Sequence, residues 1–201
     1  MKKEIYIDFD GTIVDTISRI VEMYNEDYSY YENFTPVYAD EIKTWNFDEL
    51  KLSNRKAINL YFSQPRFFND GLKPMKWAIE VINKLHNEGY KIKIVSAGTG
   101  PNLRIKKAWL KNHLEFDEFI GVDLNRHKNK DHIDMSECFF IDDMDQNLKG
   151  SNAKYKICYG LEYDWNTDWK QTRAYTWEEV YKIIKDTEKK ELESEEDYYG
   201  E

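Results

Sequence analysis

At 201 residues the chain has the length of one domain that buries a real core, with room for a modest insertion. Its net charge of −9 excludes broad nucleic-acid binding driven by phosphate neutralisation, though not a local basic site. The charge is uneven: residues 186–201 carry eight acids and two lysines, which leaves about −3 for the remainder. No run of about 18 apolar residues is present, so no membrane span and no membrane partner are expected. The opening Met-Lys-Lys-Glu lacks the apolar stretch of a signal peptide, and Cys138 and Cys158 fall in apolar strand patterns that suggest a reducing compartment, not a disulfide framework. A cytoplasmic protein is the expectation.

In chain order, Ile5-Tyr6-Ile7 reads as a short buried strand that runs out into Asp8, Phe9, Asp10, Gly11 and Thr12. Side chains two apart on a strand share a face, so Asp8 and Asp10 can reach one crevice. Two acids so close repel each other unless a cation or a shared proton lies between them, and a hard ion such as Mg²⁺ suits carboxylate oxygens. Ile13, Val14, Ile17, Ile20, Val21 and Tyr24 then recur at helical spacing. Polar and turn-forming residues break the pattern over 25–35, and further helical stretches follow around 39–43 and 53–63. The interval from Ile7 to Ile92 far exceeds a plain crossover, so residues 16–71 are read as a small helical cap. The cap is rich in aromatics. Such a pocket stacks a nucleobase for roughly 1–3 kcal/mol, but a small cap also uses aromatics as its own core.

Pro74 is read as opening the next helix, with Ala78, Val81, Ile82 and Leu85 as its apolar stripe and Gly89 as its stop. Strand 91–95 leads to Ser96, then to a loop of Ala97, Gly98, Thr99 and Gly100, and Pro101 suits the first turn of a helix over 102–113. A hydroxyl with adjacent backbone N–H groups can hold phosphate oxygens. Strands are expected at 118–122, 137–141 and 155–159. The second of these ends in Asp142-Asp143, a pair that is costly after a buried strand unless paired or metal-bound. Asp145 starts a short helix. Lys128 and Lys130 lie in the basic loop before that strand. Thr176 with Glu179 forms a capping-box pattern for the last helix, beyond which the acidic tail 186–201 is expected to be disordered. His86, His113, His127 and His132 show no ligand spacing, so zinc is not expected.

Helices alternating with apolar strands predict an α/β, Rossmann-like core: a parallel sheet flanked by helices. Residues 1–15 and 72–185 form that core, and the cap is inserted after the first strand. In such a sheet ligands bind beyond the carboxyl ends of the strands, where Asp8, Ser96 and Asp142 all fall.

Asp-x-Asp-Gly-Thr after an apolar strand, then Ser96, a lysine and Asp142-Asp143 in that order, resembles the motif set of the haloacid dehalogenase (HAD) superfamily of phosphotransferases. Within it the chain is most similar to the 5′(3′)-deoxyribonucleotidase family. That likeness rests on Pro65-Arg66-Phe67-Phe68 with Leu72, Pro74 and Ala78, on Lys107-Ala108-Trp109-Leu110, and on Thr176-Trp177-Glu178-Glu179, and spans residues 4–185. The lysine loop and Ser96-Ala97-Gly98 depart from the family pattern.

The resemblance implies that Asp8 is the nucleophile and forms an aspartyl-phosphate. It implies that Asp10 is the acid–base and that Asp8, Asp10, Asp142 and Asp143 hold Mg²⁺. Ser96, the N–H groups of Ala97 and Gly98, and a lysine would stabilise the phosphoryl oxygens. Spacing favours Lys130 over Lys128 for that lysine. Thr12 would support the turn or orient Asp10. Lys107 and Asn102 would lie within reach of the phosphate, and Trp45, Phe67 and Phe68 would line the substrate pocket. The implied activity is Mg²⁺-dependent hydrolysis of (deoxy)nucleoside monophosphates, with a homodimer left open. The alternatives are a phosphatase for another small phosphate ester or a nucleic-acid phosphate end, and a non-catalytic binding protein on the same fold.

Overall fold

The computed structural model describes residues 3–69 and 71–199, with side chains through 194. Its centre is β1, Glu4–Ile7. Ile5 and Ile7 point to one face and Tyr6 to the other, and all three are buried, as a strand covered on both sides requires. β1 pairs in parallel with β2, Lys91–Gly98, and with β4, Phe139–Asp142. With β3 (Glu118–Asp123), β5 (Tyr155–Tyr159) and β6 (Arg173–Ala174), the six strands run in the order β3-β2-β1-β4-β5-β6, all parallel. The order reverses direction at β1, so the crevice beyond its carboxyl end is a topological switch point.

Between β1 and β2 stand α1 (Thr16–Tyr28), a 3-10 turn at Ala39–Glu41, α2 (Arg55–Tyr61), α3 (Pro65–Asn69) and α4 (Ala78–Asn87). Asp15 caps α1 by accepting the Ser18 N–H at 3.0 Å, and Asn54 caps α2 by accepting that of Ala57 at 3.1 Å. Arg19 is buried, and its guanidinium donates to the carbonyls of Arg66 at 2.5 Å and Phe67 at 3.2 Å. One cation thereby ties α1 to α3. Later come α5 (Gly100–Lys111), α6 (Asp145–Gly150) and α7 (Trp177–Tyr199). One sheet face packs Ile5, Ile7, Ile92, Ile94, Phe139 and Ile141 against Leu85 of α4 and Trp177, Val180 and Ile184 of α7. The other face packs Tyr6, Val95, Phe140 and Cys158 against Leu148 of α6 and Trp169. Cys138 and Cys158 are both free thiols in the buried interior. Among the described residues no helix is long and apolar enough to cross a membrane.

Three expectations are corrected. β2 does not stop at Ser96 but continues through Ala97 and Gly98, because β3 offers it partners as far as Asp123. Pro74 does not open a helix: it bridges Val14, and α4 starts at Ala78 only after Trp77 takes a left-handed conformation (φ 64°). The acidic tail is not disordered from residue 186, because α7 runs on to Tyr199. Its acids are used there: Glu188 bonds Tyr90, and Glu191 bonds Lys3 and Tyr155. The last two residues of that tail, 200 and 201, lie outside the described residues. Thr176 and Glu179 do cap α7. The hydroxyl accepts the Glu179 N–H at 3.2 Å, while the carboxylate reaches back to the N–H of Tyr175 at 2.6 Å.

Candidate active site

Beyond the carboxyl ends of β1, β2 and β4 lies a cavity of about 380 Å³. At its floor Asp8 is 6% exposed and Lys130 1%, and Asp142, at 0%, lies behind Lys130 and outside the lining. The Lys130 ammonium donates to Asp8 and, at 2.6 Å, to Asp142 Oδ2. Asp142 Oδ1 accepts the Met144 N–H at 2.8 Å and the Asn147 amide at 3.2 Å. Asp143 Oδ2 accepts the Trp165 indole N–H at 3.0 Å. Asp8, Asp142 and Asp143 each offer an oxygen, and these oxygens lie within 4.8 Å of one another.

Three acids around one lysine are not fully compensated. Burial pushes the Asp8 carboxyl up to about 7, with Asp142 and Asp10 adding repulsion and Lys130 opposing it. Burial, Asp142 and Asp8 likewise push Asp143 well above the ordinary carboxylate range. Lys130 is held charged: burial works against it, but Asp142 and Asp8 outweigh that and raise it. A hard divalent cation among these oxygens fits the donor set and would relieve the repulsion. Gly11 leaves room for the arrangement. It sits at φ +69°, and a Cβ there would lie 2.5 Å from Asp143 Oδ2.

A second charged cluster stands beside the first. The Lys106 ammonium is 1% exposed. It bonds the Asp10 carboxylate, donates to Ser96 Oγ at 3.0 Å and to the Ala97 carbonyl at 2.8 Å. Thr16 Oγ1 also donates to Asp10, at 3.3 Å. Lys106 escaped the sequence reading, which named Lys107. One residue along α5 is a turn of about 100°, and the Lys107 ammonium instead lies 5.9 Å from the Phe119 ring, away from the cavity. The available signal was the i, i+4 pairing of Lys106 with Asn102, another buried polar residue.

The remaining expected residues divide. Ala97, Gly98, Asn102 and Trp45 line the cavity with Asp8, Asp10, Asp143 and Lys130. Lys128 is an exposed residue at its edge, so Lys130 is the lysine that meets the acids. Phe67 and Phe68 do not line it. They are 0% and 3% exposed in the main core, and Phe67 packs 5.2 Å from Phe62, which does face the cavity together with Phe47. Thr12 is not a lining residue either. It is fully buried with its hydroxyl unpartnered, and its carbonyl accepts the Trp177 indole N–H at 3.1 Å. The sequence reading also missed Trp165 and Arg55, which line the cavity and both contact Trp45, at 5.7 Å and 4.3 Å from its ring.

The sheet order and this acidic floor define a HAD-type fold, and solved structures bear out the fold. The chain is similar to a HAD-superfamily hydrolase from Ehrlichia chaffeensis, at 17% identity, TM-score 0.56, and coverage of 92% of this chain and 97% of that one. It is similar to a haloacid dehalogenase-like hydrolase from Streptococcus pneumoniae, at 15% identity, TM-score 0.58, and coverage of 91% and 98%. A predicted phosphatase from Clostridium acetobutylicum matches at 13% identity and TM-score 0.59, over 92% of this chain and 100% of that one. No curated protein matches the chain. Residues 2–191 match the family described as 5′ nucleotidase, deoxy (pyrimidine), cytosolic type C, and the chain belongs to that family. It is a hydrolase of the phosphatase class.

Proposed function

We propose that the protein is a Mg²⁺-dependent phosphomonoesterase acting on (deoxy)nucleoside monophosphates through an aspartyl-phosphate on Asp8. The observation that carries this is a single cavity whose floor holds Asp8, Asp143 and Lys130, with Asp142 bonded behind Lys130, and whose walls hold Trp45, Phe47, Phe62 and Trp165. The floor suits a phosphate with a cation, and the walls suit a flat ring. Family membership supports the same substrate class. Residues 16–71 serve as the cap that supplies three of those walls.

Asp8, Asp142 and Asp143 would hold the cation. When bound, it would neutralise charge between carboxylate and phosphate and polarise the phosphoryl group. Asp8 Oδ attacks phosphorus as the bond to the ester oxygen breaks. Asp10 gives its proton to the leaving oxygen, then takes one from the water that attacks phosphorus and frees Asp8. Lys106 bonds Asp10 and Ser96 together, so it can hold both the acid–base and the hydroxyl in place. Lys130, Ser96 and the N–H groups of Ala97 and Gly98 stabilise the equatorial oxygens. The test is a phosphate-release assay with Mg²⁺ over 5′-, 3′- and 2′-phosphorylated nucleosides and common sugar phosphates. Preference for a nucleotide supports the proposal. Faster turnover of a sugar phosphate would move the substrate to another small ester.

A further inference from the structure

One short stretch of the core touches both the cap and the acidic floor. It is residues 163–166, between β5 and β6. Asn166 is fully buried, and its amide donates to the Asp143 carbonyl at 2.9 Å and to the Leu161 carbonyl at 3.1 Å. This pins the stretch to the backbone just past the end of β4. Trp165 lies flat against Tyr163, with ring centroids 4.4 Å apart and planes 3° apart. From that fixed position its indole N–H meets the Asp143 carboxylate.

The outer side of the same stretch reaches the cap. The Asp164 carboxylate accepts the Trp45 N–H at 2.9 Å, and the Asp164 N–H donates to the Lys43 carbonyl at 3.1 Å. Trp45 meets Trp165 edge to face at 5.7 Å. On the cap side, Arg55 donates to the Trp45 carbonyl at 2.6 Å and lies 4.3 Å over its ring. The Trp45 peptide is therefore held from both directions, by Arg55 within the cap and by Asp164 from the core.

We propose that Trp165 is a positioning residue that aims the Asp143 carboxylate into the cation site, and that Asp164 links the seating of the cap to that aim. The physical need is plain. Asp143 faces two other carboxylates that repel it, and its own carboxylate fills the place that a side chain at Gly11 would take. Without a donor on its outer oxygen the side chain would turn away from its neighbours. Outer partners of this kind set metal affinity in many sites, and losing one weakens binding about 10- to 100-fold. A ring that packs on Trp45 can also feel where the cap sits, so a leaving group docked on the cap would steady the acid on the floor. Coupling through such packed links is worth roughly 2- to 30-fold.

The inference rests on Asp143 belonging to a cation site. The experiment is calorimetric titration of Mg²⁺ into metal-free wild type, Trp165→Phe and Asp164→Ala, with the melting temperature of each. Trp165→Phe keeps an aromatic ring against Tyr163 and removes the N–H together with the five-membered ring that carries it. The expected result is a Mg²⁺ Kd raised about 10- to 100-fold in Trp165→Phe and roughly 2- to 30-fold in Asp164→Ala, with metal-free melting little changed. Wild-type Mg²⁺ affinity in Trp165→Phe would overturn the positioning role, and wild-type affinity in Asp164→Ala would overturn the link to the cap. A wild-type protein that takes up no Mg²⁺ would instead remove the cation site on which the proposed function depends. A nucleotide assay that fails while the Kd shift stands would remove only the substrate.

Discussion

Replacing Lys130 by Met should expose how the floor is balanced. The ammonium is 1% exposed and serves two buried carboxylates, Asp8 and Asp142, with Asp143 beside them. Removing one partner of a buried ion pair typically costs about 3–5 kcal/mol, because the other charges stay buried without compensation. For a chain of this size each kcal/mol moves the melting temperature by about 2–4 °C, so the expected drop is roughly 6–20 °C. The drop should depend on pH in a definite direction. Asp8 is already raised to about 7 in the folded protein, against 3.8 in an unfolded chain. An acid raised on folding favours the folded state when protonated, so its stabilisation is lost as pH rises through that window. Without Lys130 the carboxylates should hold protons still more tightly. The gap between variant and wild type should therefore be small at pH 5.5 and large at pH 8 in metal-free buffer, and Mg²⁺ should narrow it at pH 8. Scanning calorimetry at the two pH values, with and without Mg²⁺, measures this. Equal melting of the two proteins at pH 8, or a gap that ignores pH, would refute the reasoning.

Asp8→Asn should abolish turnover without lowering the metal-free melting temperature at pH 8, since it removes a repelling charge; a phosphate-release assay retaining the wild-type rate would place the nucleophile elsewhere. Trp45→Ala should cut kcat/KM for a nucleotide roughly 5- to 150-fold, from the loss of about 1–3 kcal/mol of stacking, while a small aryl phosphate changes only a few-fold. Phe68→Ala should behave differently, losing about 3–5 kcal/mol of stability from a filled core and affecting both substrates alike; selective loss of nucleotide turnover would return it to the pocket. Gly11→Ala should weaken Mg²⁺ binding, because its Cβ would displace the Asp143 carboxylate from a 2.5 Å approach, and an unchanged titration would show that the turn simply shifts.

The sheet and the acids were legible because they follow local rules. A buried strand ending in carboxylates can be recognised from a dozen residues, and Asp8, Asp142 and Asp143 do converge at one switch point. Choosing Lys130 over Lys128 also came from spacing, and the buried contacts agree. What failed depended on direction or on distant partners. Lys106 and Lys107 differ only by rotation about α5, which lysine periodicity in a polar helix cannot fix. Phe67 and Phe68 look like Phe62 in sequence, yet Arg19 and α1 turn α3 so that they face the core. The acidic residues of α7 read as a solvated tail because their partners, Lys3, Tyr90 and Tyr155, lie 36 to 188 residues away in sequence.

The central claim is that Asp8 carries the phosphoryl group during turnover. The most direct measurement is borohydride reduction of the protein while it turns over a nucleoside monophosphate with Mg²⁺, followed by peptide mass spectrometry. An acyl phosphate on Asp8 would be reduced to homoserine at position 8, and only when substrate and Mg²⁺ are both present. Full turnover with Asp8 unmodified, or with the label on another carboxylate, would contradict the account.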